Sequence, residues 1–142
     1  LRSVVTRRDA LVEDLQRSVP LLVKLAPDLD EAGLSDAIEA IEHAGIDGVI
    51  ATNTTIARDG LSSNHAAETG GLSGSPLTAR STEMVAQISK STAGKLPIIA
   101  CGGIMSVDDA RAKIDAGATL VQLYTGLIYE GPSLAREIAA AL

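Results

Sequence analysis

Four short aliphatic stretches set the terms for any fold this chain can adopt: 21–25, 48–52, 97–101 and 119–124. Each has the length of a strand, and none alternates between apolar and polar residues as a half-solvated strand would. Continuous aliphatic runs of this kind are the mark of parallel strands covered on both faces.

Amphipathic helical patterns separate the runs. Asp30 and Glu31 open one, with Leu34, Ile38 and Ile41 at helical spacing and Gly45 as a C-cap that tolerates the left-handed conformation. A second is predicted from Leu77 to Thr92, with Met84, Val85 and Ile88 inward and Gly94 closing it. A third starts at Ser106, where Asp109 stands in for the usual glutamate of a capping box; Ala110 and Ile114 face inward and Gly117 ends it. The last follows Gly131-Pro132-Ser133, and an additional helix is expected from about Arg7 to Ser18.

Alternation at this pace implies right-handed βαβ units and a parallel sheet, as either a doubly wound sheet or a barrel. One connection breaks the rhythm. Asn53 to Pro76 is rich in Gly, Ser, Thr and Asn and leaves from a strand's C-terminal end, the edge where α/β proteins build sites.

Composition narrows the function classes. The chain has 142 residues, 46% apolar and 21% charged, which fits one globular domain and argues against disorder. A net charge of −6 disfavours a nucleic-acid binder. A single cysteine makes neither an internal disulfide nor a thiolate-rich zinc site. No apolar run approaches the ~20 residues of a membrane span, and no signal peptide is visible. Phe and Trp are absent, so the core must be Leu, Ile, Val and Ala.

The residues able to carry chemistry cluster after the strands. Cys101-Gly102-Gly103 and Tyr124-Thr125-Gly126 are small strand-to-helix turns that leave backbone N–H groups uncovered, a phosphate cradle in the making or simply two tight turns. In (β/α)8 barrels phosphate commonly binds at the loops after the seventh and eighth strands; if these turns are that site, the four runs are strands five to eight of an α/β barrel, with about four more expected upstream. The start at Leu1 rather than Met points the same way. Lys24 interrupts an aliphatic strand near its end. It suits a fixed cation beside a cofactor, a Schiff-base nucleophile as in an aldolase, or a salt-bridged structural lysine. Thr52-Asn53-Thr54-Thr55 packs donors and acceptors into a small space, for an amide-like ring or for a turn. Gly70-Gly71-Leu72-Ser73-Gly74 offers backbone donors on a hinged lid, or a plain loop. His43 and His65 are read as solvated, Cys101 as a small buried hydrophobe. No nucleophilic triad or group of metal ligands can be assembled.

Taken together, the chain resembles the class 2, quinone-linked dihydroorotate dehydrogenases. The likeness rests on Leu22-Val23-Lys24-Leu25-Ala26-Pro27-Asp28-Leu29, Thr52-Asn53-Thr54-Thr55, Glu68-Thr69-Gly70-Gly71-Leu72-Ser73-Gly74, Gly102-Gly103 and Val121-Gln122-Leu123-Tyr124-Thr125, in that order, and covers nearly everything from Leu21 onward. The resemblance implies a (β/α)8 TIM-type barrel holding FMN at its C-terminal mouth, with residues 1–142 forming the C-terminal half, the last four β/α units. It implies that Lys24 lies near the flavin ring and favours its anionic reduced state, and that Thr52 contacts the flavin. Gly74, Gly103, Tyr124 and Thr125 would hold FMN, the last three around its phosphate. Asn53 and Thr54 would hydrogen-bond dihydroorotate.

The family reaction removes a proton from C5 of dihydroorotate and passes a hydride from C6 to the flavin, giving orotate for de novo pyrimidine (UMP) biosynthesis; quinone then reoxidises the flavin. The family's serine base, and the segment that meets quinone at the cytoplasmic face of the cell membrane, match nothing here and are expected upstream. The stretch itself is expected to be soluble, inactive alone, and prone to pair with a second copy.

Overall fold

The computed structural model describes every residue from Leu1 to Leu142. Its four strands are β1 (Leu22–Leu25), β2 (Gly48–Ala51), β3 (Ile98–Cys101) and β4 (Leu120–Gln122). They form one parallel sheet in the order β1-β2-β3-β4. The helices are α1 (Arg2–Leu15), α2 (Glu31–Ala44), α3 (Thr78–Ser91), α4 (Val107–Asp115), α5 (Thr125–Glu130) and α6 (Ser133–Ala141), with a single 3-10 turn at Ser75–Leu77 ahead of α3.

Sequential strand order decides between the two architectures. A doubly wound sheet reverses direction at a switch point and places helices on both faces. Here every crossover runs to the next strand, so a constant right-handed sense puts the helices on one face. Burial agrees with this. Val49, Ala51, Ile98 and Ala100 are buried against Leu34, Ile38 and Ile41 of α2 and Met84, Val85 and Ile88 of α3. The alternate row, with Leu22, Lys24, Ile50, Ile99, Leu120 and Gln122, is only partly covered or exposed. A second small cluster joins Ile104 and Ala110 to Leu134 and Ile138, fixing α4 and α6 beside β4. This is the (β/α) barrel pattern, four consecutive units of it.

The predicted caps hold. The Asp30 carboxylate accepts from Gly33 N–H at 2.8 Å, and Gly45 ends α2 with φ 68°. The Ser106 hydroxyl accepts from Asp109 N–H at 3.1 Å while the Asp109 carboxylate accepts from Met105 N–H at 3.0 Å.

Two boundaries differ from the sequence expectation. The first helix is Arg2–Leu15 rather than 7–18, because Gln16 turns left-handed (φ 51°) and Pro20 keeps Val19 out of the helical region. The last helix begins at Ser133 as expected, but Tyr124-Thr125-Gly126, read as a turn, opens a short helix, α5, that the sequence did not announce. No helix is long and apolar enough to cross a membrane.

Candidate functional site

The C-terminal ends of all four strands converge on one cleft. It is lined by Lys24 from β1, by Thr52, Asn53 and Thr54 beyond β2, by Ser73 and Gly74 from the end of the long connection, by Cys101 to Ile104 beyond β3, and by Gln122 and Tyr124 to Gly126 at β4. The structure therefore brings all eight residues singled out above, Lys24, Thr52, Asn53, Thr54, Gly74, Gly103, Tyr124 and Thr125, to a single mouth.

Each is placed by its local structure. Thr52 is buried, with its N–H on the Cys101 carbonyl at 2.6 Å and its hydroxyl donating to the Asn53 carbonyl at 2.8 Å. Asn53 N–H donates to Leu25 O at 2.8 Å, which ties the start of the loop to β1. The Asn53 side-chain oxygen accepts from Thr54 N–H at 2.9 Å, leaving its NH2 without a protein acceptor. Thr55 turns away. It is buried, and its hydroxyl donates to the Asp28 carboxylate, which also accepts from Ile56 N–H at 3.2 Å.

The long connection is thus a stapled loop. Thr55 and Leu72 exchange both backbone hydrogen bonds, at 3.0 and 2.8 Å, and the Arg58 guanidinium donates to Gly70 O at 2.5 Å and Glu68 O at 3.2 Å. Arg80 of α3 reaches across to Pro27 O at 2.9 Å and Leu29 O at 2.8 Å, holding the β1 end against the same base. Ser73 and Thr125 share a hydroxyl–hydroxyl bond of 2.8 Å that closes the loop onto α5.

Electrostatically the cleft is a donor surface. The N–H groups of Gly102, Gly103 and Ile104 find no acceptor in the protein, and neither do those of Tyr124, Thr125 and Gly126. Lys24 is exposed in the cleft and takes part in none of the chain's ion pairs. Uncommitted amides at adjacent turns suit an anionic group such as a phosphate. Tyr124 stands 73% exposed on the rim. His43 and His65 lie outside the cleft, His65 paired with Glu68 at 2.7 Å in solvent. Cys101 departs from the expectation of burial: it is half-buried and lines the cleft, since its side chain belongs to the uncovered row of the sheet.

Sequence reasoning missed Lys113. It sits on the inner face of α4 with 0% exposure, and its ammonium donates to Thr78 O at 2.9 Å, Ser81 Oγ at 2.5 Å and Thr82 Oγ1 at 2.6 Å. The signal was its spacing: Lys113 follows the inward Ala110 by one turn. Burial pulls its pKa from 10.5 down to about 8, against the opposing pull of Asp109 and Cys101. It stays charged at neutral pH, at a cost to the folded state.

Between about pH 8 and 10.5 the unfolded lysine keeps its proton while the folded one sheds it. Stability is therefore expected to rise with pH across that window, by up to about 3 kcal/mol. Urea titrations at pH 7.5 and 10 on the unaltered and Lys113→Met proteins check this. An identical pH increment in both would refute it.

A one-sided parallel sheet of four consecutive β/α units, with bare amides and an unpaired ammonium lining one cleft at its strand ends, marks an α/β-barrel protein. The chain belongs to the dihydroorotate dehydrogenase family, whose model matches residues 2–142. It is similar to the dihydroorotate dehydrogenase (quinone) of Leptothrix cholodnii, with 54% identity over 143 residues, 100% of this chain and 41% of that protein. The dihydroorotate dehydrogenase (quinone) of Idiomarina loihiensis is 48% identical over 142 residues, 100% of this chain and 42% of the relative. Among solved structures, the DHODH of Eimeria tenella in complex with ferulenol superposes with a TM-score of 0.90 at 39% identity, over 99% of this chain and 42% of that one. The chain spans about two fifths of the length of the curated relatives it matches, their C-terminal part.

Proposed function

We propose that residues 1–142 supply the cofactor- and substrate-holding half of a barrel that oxidises dihydroorotate to orotate with quinone as acceptor. The observation that carries the reading is the convergence of Lys24, Asn53, Thr54 and two runs of free amides on one mouth, in a chain of this family. The residues fit FMN on their own chemistry. The Gly103 and Ile104 amides, with those of Tyr124, Thr125 and Gly126, would take the phosphate, Gly74 lets the chain pass close by, and Thr52 and Lys24 would face the ring.

Bound FMN would supply the two-electron acceptor. The chain's own contribution is positional and electrostatic. The Asn53 NH2 and the Thr54 hydroxyl orient the substrate, while the Lys24 ammonium stabilises negative charge gathering in the cleft. A Schiff-base role for Lys24 finds less support, because a nucleophilic lysine needs desolvation and Lys24 is exposed. The base that takes the substrate proton, the quinone contact and any attachment to the membrane surface belong, on this reading, to the other part of the barrel.

The test is a chimera in which this chain replaces the matching C-terminal part of the Leptothrix cholodnii protein. Co-purified flavin absorbance and dihydroorotate-dependent reduction of a soluble quinone are expected. A folded chimera with neither would overturn the proposal. Retained flavin without turnover would reduce it to a binding half-barrel.

Alone, the chain is expected to self-associate. β1 and β4 are free edges, and the row with Leu22, Ile50 and Leu120 lacks a covering layer. Sedimentation should show species larger than one chain. A monomer unfolding in one sharp urea transition would contradict this.

A further inference from the structure

The turn after β3 owes its geometry to side chains of α3. The Gly102 carbonyl receives no backbone donor; its partner is the Ser81 hydroxyl at 2.9 Å. The Gly103 carbonyl likewise receives only the Thr78 hydroxyl, at 2.5 Å. In a trans peptide the C=O and the following N–H point in opposite directions. Drawing the Gly102 and Gly103 carbonyls toward α3 therefore turns the Gly103 and Ile104 N–H groups the other way, into the cleft that both residues line.

Behind the two hydroxyls sits Lys113. A lysine ammonium only donates, so the Ser81 oxygen that accepts from it must send its own proton elsewhere. Ser81 Oγ has three acceptors in range: Leu77 O at 2.8 Å, Gly102 O at 2.9 Å and Thr78 O at 3.2 Å. The Thr78 carbonyl already receives Lys113 Nζ at 2.9 Å and the Thr82 hydroxyl at 2.8 Å. Leu77 is the N-cap of α3, where the carbonyl accepts the first intrahelical bond, whereas the Gly102 carbonyl has no backbone donor. All three ammonium protons are spent on α3 oxygens, and no carboxylate pairs with Lys113. Burying an ammonium that serves only packing is unfavourable, and methionine would fill the same space.

We propose that Lys113 is a positioning residue for the anion cradle: by holding the Ser81 hydroxyl as an acceptor it aims that hydroxyl at the Gly102 carbonyl, and thereby aims the Gly103 amide at the bound anion. Lys113 touches neither cofactor nor substrate. It acts through Ser81 and one peptide plane. The inference rests on reading the cleft as an FMN site with the phosphate at this turn, and it adds the device that keeps the turn's amides convergent.

The test compares FMN with riboflavin, which lacks the phosphate, as ligands of the apo-chimera, followed by flavin fluorescence quenching. The unaltered protein is expected to bind FMN more tightly than riboflavin. Lys113→Met is expected to weaken FMN by about 10-fold or more and to leave riboflavin within about 2-fold. Ser81→Ala cuts the same relay while leaving Lys113 its other two bonds, and is expected to show the same phosphate-selective loss; it decides the matter if Lys113→Met does not fold. Equal weakening of both ligands, as a purely structural role would give, overturns the inference, and so does no change in either. An unaltered chimera that binds neither flavin, or both alike, brings down the FMN reading itself, a result separable from the failure of the relay.

Discussion

Gly103→Ala is expected to lower FMN affinity by at least about 100-fold in the chimera. Gly103 has φ 68°, a conformation that costs a non-glycine residue roughly 1–2 kcal/mol. The added Cβ would also overlap the backbone nitrogen and the hydroxyl of Thr78, neither of which can yield without displacing the first turn of α3. The only relief is to swing the peptide, which breaks the Thr78–Gly103 bond and carries the Ile104 N–H out of the cleft. Both strain and mis-aimed donors thus act on the same ligand. Flavin titration of the apo-protein measures the loss, and circular dichroism confirms that the barrel still folds. Affinity within a few-fold of the unaltered protein would show that the turn after β3 is not where the anion sits.

Lys24→Met is expected to reduce turnover by about 100- to 1,000-fold while FMN remains bound, the range typical of removing one preorganised charge from a reacting centre. The substitution keeps the length and apolar stem and deletes only the ammonium. Because Lys24 makes no ion pair, its removal leaves no stranded carboxylate behind, so the loss reports on the reaction rather than on folding. The effect should fall on kcat rather than KM and be accompanied by a lower reduction potential of the bound flavin. Unchanged kcat with normal flavin content would remove Lys24 from the chemistry.

The sheet was legible because buried parallel strands write themselves as aliphatic runs, and Lys24 was legible because it breaks one. The caps of α2 and α4 could be read for the same reason: Asp30 and Ser106 satisfy amides three residues on, a local rule that tertiary context does not override. α5 was not legible. It is six residues long, has no side-chain cap and contains Gly126, so nothing local distinguishes it from a turn. Its glycine is there because the backbone passes so close to the Ile104 carbonyl, 22 positions away in sequence, that a side chain would not fit.

Thr55 and Lys113 show the same limit from the polar side. In the run Thr52-Asn53-Thr54-Thr55 the first three residues line the cleft and the fourth anchors to Asp28, a division that depends on where the β1 end lies. Lys113 reads as one more charged position on a surface helix until α3 is seen covering it. Local periodicity reports which face a residue occupies, not what the next helix brings against it.

The bare row of the sheet carries a further meaning. Its side chains are aliphatic at Leu22, Ile50, Ile99 and Leu120, with no ring among them, and turn polar at the cleft end with Lys24 and Gln122. A layer laid over it must therefore be apolar along most of its height and polar only at the rim, so the packing seam and the cleft grade into one another.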